Sequence, residues 1–104
     1  MYPIQVKSDS VNLWGLEREM RPALSVAGKI WAEHGQTLVV TSACDGLHSA
    51  GSLHYYGLAV DLRTRYFNED TKKLVFNELQ KELTRLGFDI VWHKTHIHIE
   101  YDPK

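Results

Sequence analysis

The chain has 104 residues, 43% of them apolar and 24% charged, with a net charge near −1. That suits one domain, residues 1–104, with a modest core, and it lacks the basic surface that nucleic acid selects. A single cysteine, Cys44, excludes an internal disulfide framework, and no apolar run approaches the ~18 residues that cross a bilayer. The N-terminal stretch Met1–Asp9 has no basic region followed by an apolar one, so no signal peptide is read and a cytoplasmic monomer is expected.

In chain order, Ile4-Gln5-Val6 is a short edge strand, followed by the polar turn Ser8-Asp9-Ser10. Leu13, Trp14, Leu16 and Met20 suggest a short helical turn. Pro22 fits the first turn of a helix, where its missing N–H does no harm. Leu24, Ala27, Ile30 and Trp31 then recur at helical spacing up to the stop at Gly35, which predicts a helix over 22–34. His34 falls in its last turn, where a cation complements the helix dipole.

The β-branched run 37–43 predicts a buried strand, and the small and polar residues 45–53 a loop. A second strand runs from Gly57 to Arg63. Alternation puts Leu58, Val60 and Leu62 toward the core, and Ala59, Asp61 and Arg63 on the other face. Asn68 caps the next helix, with Glu69 and Asp70 in its first turn, the stripe Val75, Leu79, Leu83 and Leu86, and Gly87 at its end. The strands Phe88–Trp92 and His96–Tyr101 lie close enough to form a hairpin. In the last one His96, His98 and Glu100 share a face opposite Ile97, Ile99 and Tyr101. The sum is an α+β domain: a small, mostly antiparallel sheet with two main helices on one face and Asp61, His96 and His98 on the other.

Five of the six histidines lie between positions 48 and 98: His48, His54, His93, His96 and His98. His54, Asp61 and His98 supply the nitrogen and oxygen donors of a three-ligand zinc site with one open position. Such a metal generates a nucleophile from water and polarises a carbonyl. His93 and His96 are the nearest groups to manage the proton, and Glu100 or Asp89 can accept the second ring N–H of a ligand histidine. Iron(II) or manganese suits the same donors. An alternating His-x-His pair also occurs on plain solvated strands.

The wording Ser52-x-His54-x-x-Gly57-x-Ala59-x-Asp61, with Gly87-Phe88-Asp89-Ile90-Val91 and His96-Ile97-His98 after it, resembles the zinc D,D-peptidase and hedgehog signalling-domain superfamily. That superfamily includes D-Ala-D-Ala carboxypeptidases, phage L-alanyl-D-glutamate endolysins and murein endopeptidases, and the first motif is especially similar to the hedgehog version. The resemblance implies one zinc ion per chain on His54, Asp61 and His98, with His96 beside the metal. It likens His93 to the extra histidine of the murein endopeptidases, His48 to a cleft histidine of the hedgehog domain, and Ser52 to a serine that shapes the site. The peptidases' acidic base, three residues before the last ligand, is replaced by Thr95, which leaves His93 or His96 for that role. Their arginine after the strand-end serine is absent, and Arg63 or Lys94 is left to bind a substrate carboxylate. The implied activity is hydrolysis of peptidoglycan stem peptides, at D-Ala-D-Ala or L-Ala-D-Glu bonds, by a phage or prophage protein. The alternative is a non-catalytic, zinc-stabilised binding module of the hedgehog type.

Overall fold

The computed structural model describes residues 3–7, 16–43 and 58–102. The expected loop at 45–53 lies outside them, and with it His48, Ser52 and His54, as do Cys44, Tyr55 and Tyr56. Five strands and two α-helices make up the described part: β1 (Ile4–Val6), α1 (Arg21–Glu33), β2 (Leu38–Ser42), β3 (Ala59–Arg63), α2 (Glu69–Leu83), β4 (Phe88–Trp92) and β5 (His96–Tyr101).

Helix α1 follows a 3₁₀ turn, Arg18–Met20, and has Pro22 in its first turn. Ala23, Ala27, Ile30 and Trp31 recur at intervals of four, three and one, so they lie on one side of the helix and are buried. Gly35 leaves the helix at φ 79°, a left-handed conformation that suits a residue without Cβ. Trp31 is fully buried, and its indole N–H donates to the Arg63 carbonyl at 3.1 Å, so no polar group is stranded. His34 caps the end of α1 and meets Glu78 of α2 at 3.0 Å, which ties the two helices together away from the histidine-bearing face.

Asn68 caps α2 through its side-chain oxygen, which accepts from the Thr71 N–H at 2.7 Å. Val75, Leu79 and Leu83 are fully buried, each such side chain contributing about 1.5–3 kcal/mol in transfer free energy. Leu86, expected on the same stripe, is instead 45% exposed. The chain tightens into a 3₁₀ turn over Thr84–Leu86, and the larger angular step per residue swings Leu86 off the buried side. Gly87, at φ 95°, then turns the chain into β4.

The sheet order is β1-β2-β3-β5-β4. Three of its pairings are antiparallel, as expected, but β1 runs parallel to β2. The sheet is therefore mixed rather than simply antiparallel. The reason is the connection: β1 and β2 are joined through α1, and such a crossover returns the chain in the same direction. Val60, Leu62, Ile97 and Ile99 point into a core shared with Met20, Trp31, Leu38, Val40, Leu79 and Leu83, all fully buried. Alternation then dictates what the other sheet face carries.

Candidate metal centre

Strands β3 and β5 are adjacent and in register, with Ala59 opposite Glu100, Asp61 opposite His98, and Arg63 opposite His96. Directly opposed antiparallel residues have Cβ atoms about 4.5–5.5 Å apart, on the same face. The pairing alone thus brings Asp61 to His98. The Asp61 carboxylate lies 2.8 Å from His98 Nδ1 and 3.7 Å from His96 Nε2. On the neighbouring strand the Thr41 hydroxyl donates to the Asp61 carbonyl at 3.3 Å, next to an irregularity in the β2–β3 register between Val40 and Ser42.

The other nitrogen of His98, Nε2, donates to Glu100 at 2.8 Å. Of the two acceptors the sequence offered, Glu100 takes this position. Asp89 stands opposite Glu100 on β4, while the residue opposite His98 is Val91. Asp89, Glu100 and Asp102 bring one carboxylate oxygen each within 4.8 Å of one another, so negative charge accumulates behind His98. Both ring nitrogens of His98 face carboxylates, an arrangement that favours the protonated imidazole. Its pKa is raised above 6.5, chiefly by the hydrogen bond to Asp61, against the opposing effect of burial.

His96 behaves in the opposite sense. Burial is the largest influence and lowers its pKa below 6.5, Asp61 opposes that, and the neighbouring His93 and His98 add to it. The ring is favoured as neutral imidazole. Its Nδ1 lies 3.4 Å from the Thr95 hydroxyl. His93 stacks on His96 with ring centres 4.6 Å apart and planes 16° off parallel, and meets His98 edge-on at 6.2 Å.

Asp61 and His96 also line an open cleft of about 340 Å³ together with Thr41, Ser42, Thr95, Lys7, Arg63 and Arg65. Three cations thus border the candidate centre on the side of β1–β3. Lys94, the other candidate for a substrate carboxylate, is exposed on the β4–β5 turn and does not line this cleft. Sequence reasoning found Arg63 but not Lys7 or Arg65. Lys7 comes alongside only because β1 pairs with β2, a contact across more than thirty residues.

The described donors fit a zinc-type site. Asp61 and His98 offer oxygen and nitrogen, and Glu100 accepts from the other His98 nitrogen, as the orienting partner of a ligand imidazole would. Two ligands at ~2.0–2.1 Å in a tetrahedron lie about 3.3 Å apart, so the 2.8 Å contact between Asp61 and His98 need open only by about half an ångström. His54, the expected third ligand, lies outside the described residues.

The structure therefore brings Asp61, His93, His96, His98 and Arg63 to one side of the sheet. The model of the hedgehog amino-terminal signalling domain matches residues 18–101, a span that runs from the 3₁₀ turn before α1 through the last residue of β5. With that match over most of its length and this fold, the chain belongs to the hedgehog amino-terminal signalling domain family, and so to the superfamily that also contains zinc D,D-peptidases.

Proposed function

We propose that this domain is a zinc-dependent peptidase that hydrolyses peptidoglycan stem peptides, of the D-Ala-D-Ala or L-Ala-D-Glu type. The observation that carries this reading is a division of labour among the imidazoles. His98 is paired with Asp61 and backed by Glu100, as a ligand would be, whereas His96 and His93 stand beside it as a stacked pair left over for proton handling.

His54, Asp61 and His98 would hold one zinc ion, which when bound polarises a scissile carbonyl and makes water nucleophilic at neutral pH. His98 gives up the Nδ1 proton it shares with Asp61 to become a ligand, and Glu100 keeps the ring oriented through Nε2. His96, favoured as neutral imidazole and facing Asp61, accepts a proton at Nε2 and passes it to the leaving amine. The flat stack of His93 on His96 leaves room for either ring to take that part. Arg63, with Lys7 and Arg65, presents positive charge to a peptide carboxylate in the cleft. Among the described residues no helix is long and apolar enough to cross a membrane. The reading makes the protein a phage- or prophage-encoded lysis enzyme that acts on the wall once released.

A second reading has its own support. The matching family model is that of a signalling domain, and Thr95 replaces the acidic base. A non-catalytic domain stabilised by zinc, binding a partner through the same cleft, follows from those two facts. One experiment separates the readings: amino-group release from purified peptidoglycan by the zinc-loaded protein, beside a His96→Ala variant, with bound zinc measured for both. Cleavage that falls by ~100-fold or more in a variant still holding zinc supports the peptidase. One zinc per chain with no cleavage supports the binding module, and no zinc in either protein defeats both.

A further inference from the structure

Lys72 stands where a lysine is least expected. It lies in the first turn of α2, close to the positive end of the helix dipole, which disfavours cations. It is 5% exposed, although lysine is almost never buried unless paired. Among the described residues no carboxylate forms an ion pair with its ammonium. The Nζ donates instead to the backbone carbonyls of His93 and Lys94, and lies 4.1 Å from the centre of the Trp92 ring, over its face. Trp92 is held in turn by an edge-to-face contact with Phe76 of α2.

Those two carbonyls belong to the β4–β5 turn, whose sequence His93-Lys94-Thr95 contains no glycine, asparagine, aspartate or proline. Nor does any non-glycine residue of the described chain adopt a positive φ. The turn thus lacks the residues that usually fix a short hairpin. The His93 N–H donates to the His96 carbonyl across its base at 3.0 Å, and from outside the Thr64 N–H donates to the Thr95 carbonyl at 3.2 Å. Lys72 accounts for the remaining two carbonyls. His93, exposed and at the start of this turn, stacks on His96.

We infer that Lys72 is a positioning residue: its ammonium, clamped on the carbonyls of His93 and Lys94, sets the β4–β5 turn so that His93 lies flat on His96 beside the candidate metal centre. A methionine of similar length would fill the space but leave both carbonyls without a donor. The role of Lys72 in catalysis rests on the peptidase reading. Its control of the turn does not.

The test uses the full chain with labelled histidine and lysine. In the parent, NMR should give ring-to-ring proton contacts between His93 and His96, and a slowly exchanging Lys72 ammonium coupled to the carbonyls of His93 and Lys94, unlike the exposed Lys73. In Lys72→Met, with zinc content and far-ultraviolet circular dichroism unchanged, the ring-to-ring signals should vanish. Peptide turnover should fall by roughly 10- to 100-fold with KM unchanged within about twofold, the size of effect expected when a catalytic group is misplaced by about an ångström. Lys72→Arg, which restores donors, should recover part of both. An intact His93–His96 stack in a folded Lys72→Met protein overturns the inference. So does a parent ammonium that exchanges as fast as that of Lys73, a result obtained even if no variant folds. If the stack dissolves in Lys72→Met but the parent cleaves nothing, Lys72 stands as the clamp and the peptidase reading alone falls.

Discussion

Replacing Glu100 by glutamine tests the candidate centre at its most specific point. Glu100 accepts from His98 Nε2 at 2.8 Å and is about a quarter exposed, so a glutamine of the same shape leaves the packing intact. The loss is the negative charge behind the imidazole proposed as a ligand. Partners of that kind are worth about 10- to 100-fold in metal affinity, or roughly 1.4–2.7 kcal/mol. A second effect runs the other way. In the metal-free protein Glu100 also helps to raise the pKa of His98, and below that raised pKa a metal must displace a proton. The variant loses some of this competition. The deficit in zinc affinity should therefore be full at alkaline pH, above the raised pKa of His98, and should shrink as pH falls through it. Competition against a chromophoric chelator across that range, with melting curves as a control, reads the result. An affinity unchanged at the alkaline end, or a deficit that grows toward acid, refutes the assignment of Glu100 as the orienting acceptor of a ligand His98.

Site-resolved NMR titration of the metal-free protein should find His98 losing its proton above 6.5 and His96 already neutral below it, since Asp61 dominates the first and burial the second; the reverse order rules out the hydrogen bonding described. Arg63→Ala should raise KM for an anionic peptide by roughly 10- to 100-fold with little change in kcat, as expected when a charge-assisted contact made equally in ground and transition states is removed. A matching fall in kcat would assign Arg63 to the chemistry instead. Asn68→Ala removes the cap bond to Thr71 and should destabilise the domain by about 1 kcal/mol, a drop in Tm of roughly 4–8 °C by calorimetry. Gly87→Ala forces a Cβ onto a backbone at φ 95° and should cost about 1–2 kcal/mol; a neutral outcome would mean the chain does not turn there as described.

Elements with a clean period were legible in the sequence. The α1 residues Ala27, Ile30 and Trp31, the α2 residues Val75, Leu79 and Leu83, and Val60, Leu62, Ile97 and Ile99 of β3 and β5 are buried where expected, whereas Leu24, Leu58 and Tyr101 are only partly covered and Ala59, expected on the opposite face, is fully buried. From two alternating strands alone Asp61 and His98 could be placed on one face. Their direct opposition could not, because register across the thirty-odd residues between β3 and β5 is set by packing and not by either strand's pattern. The choice of Glu100 over Asp89 needed that register too. Lys72 left a trace that charge obscured: it sits three residues before Val75 and seven before Leu79, on the apolar stripe itself. A lysine there reads as a fault in the pattern until the carbonyls it meets are known. The parallel pairing of β1 had no local signature, since three residues show no direction.

The interior strands β2, β3 and β5 also determine which parts of the protein let go first. β2, β3 and β5 each have a hydrogen-bonded neighbour on both sides, whereas β1 and β4 have one among the described strands. Backbone amides in β2, β3 and β5 should therefore exchange with solvent deuterium only through the largest openings, and those of β1 and the outer side of β4 through small local ones. Asp61 and His98 are carried on the slowest-exchanging part of the molecule, while His93 rides on a turn between a central strand and an edge. Fraying that loosens Lys7 or His93 for a moment leaves the aspartate and histidine pair in place, so the rim of the cleft can fluctuate around a pair that stays assembled.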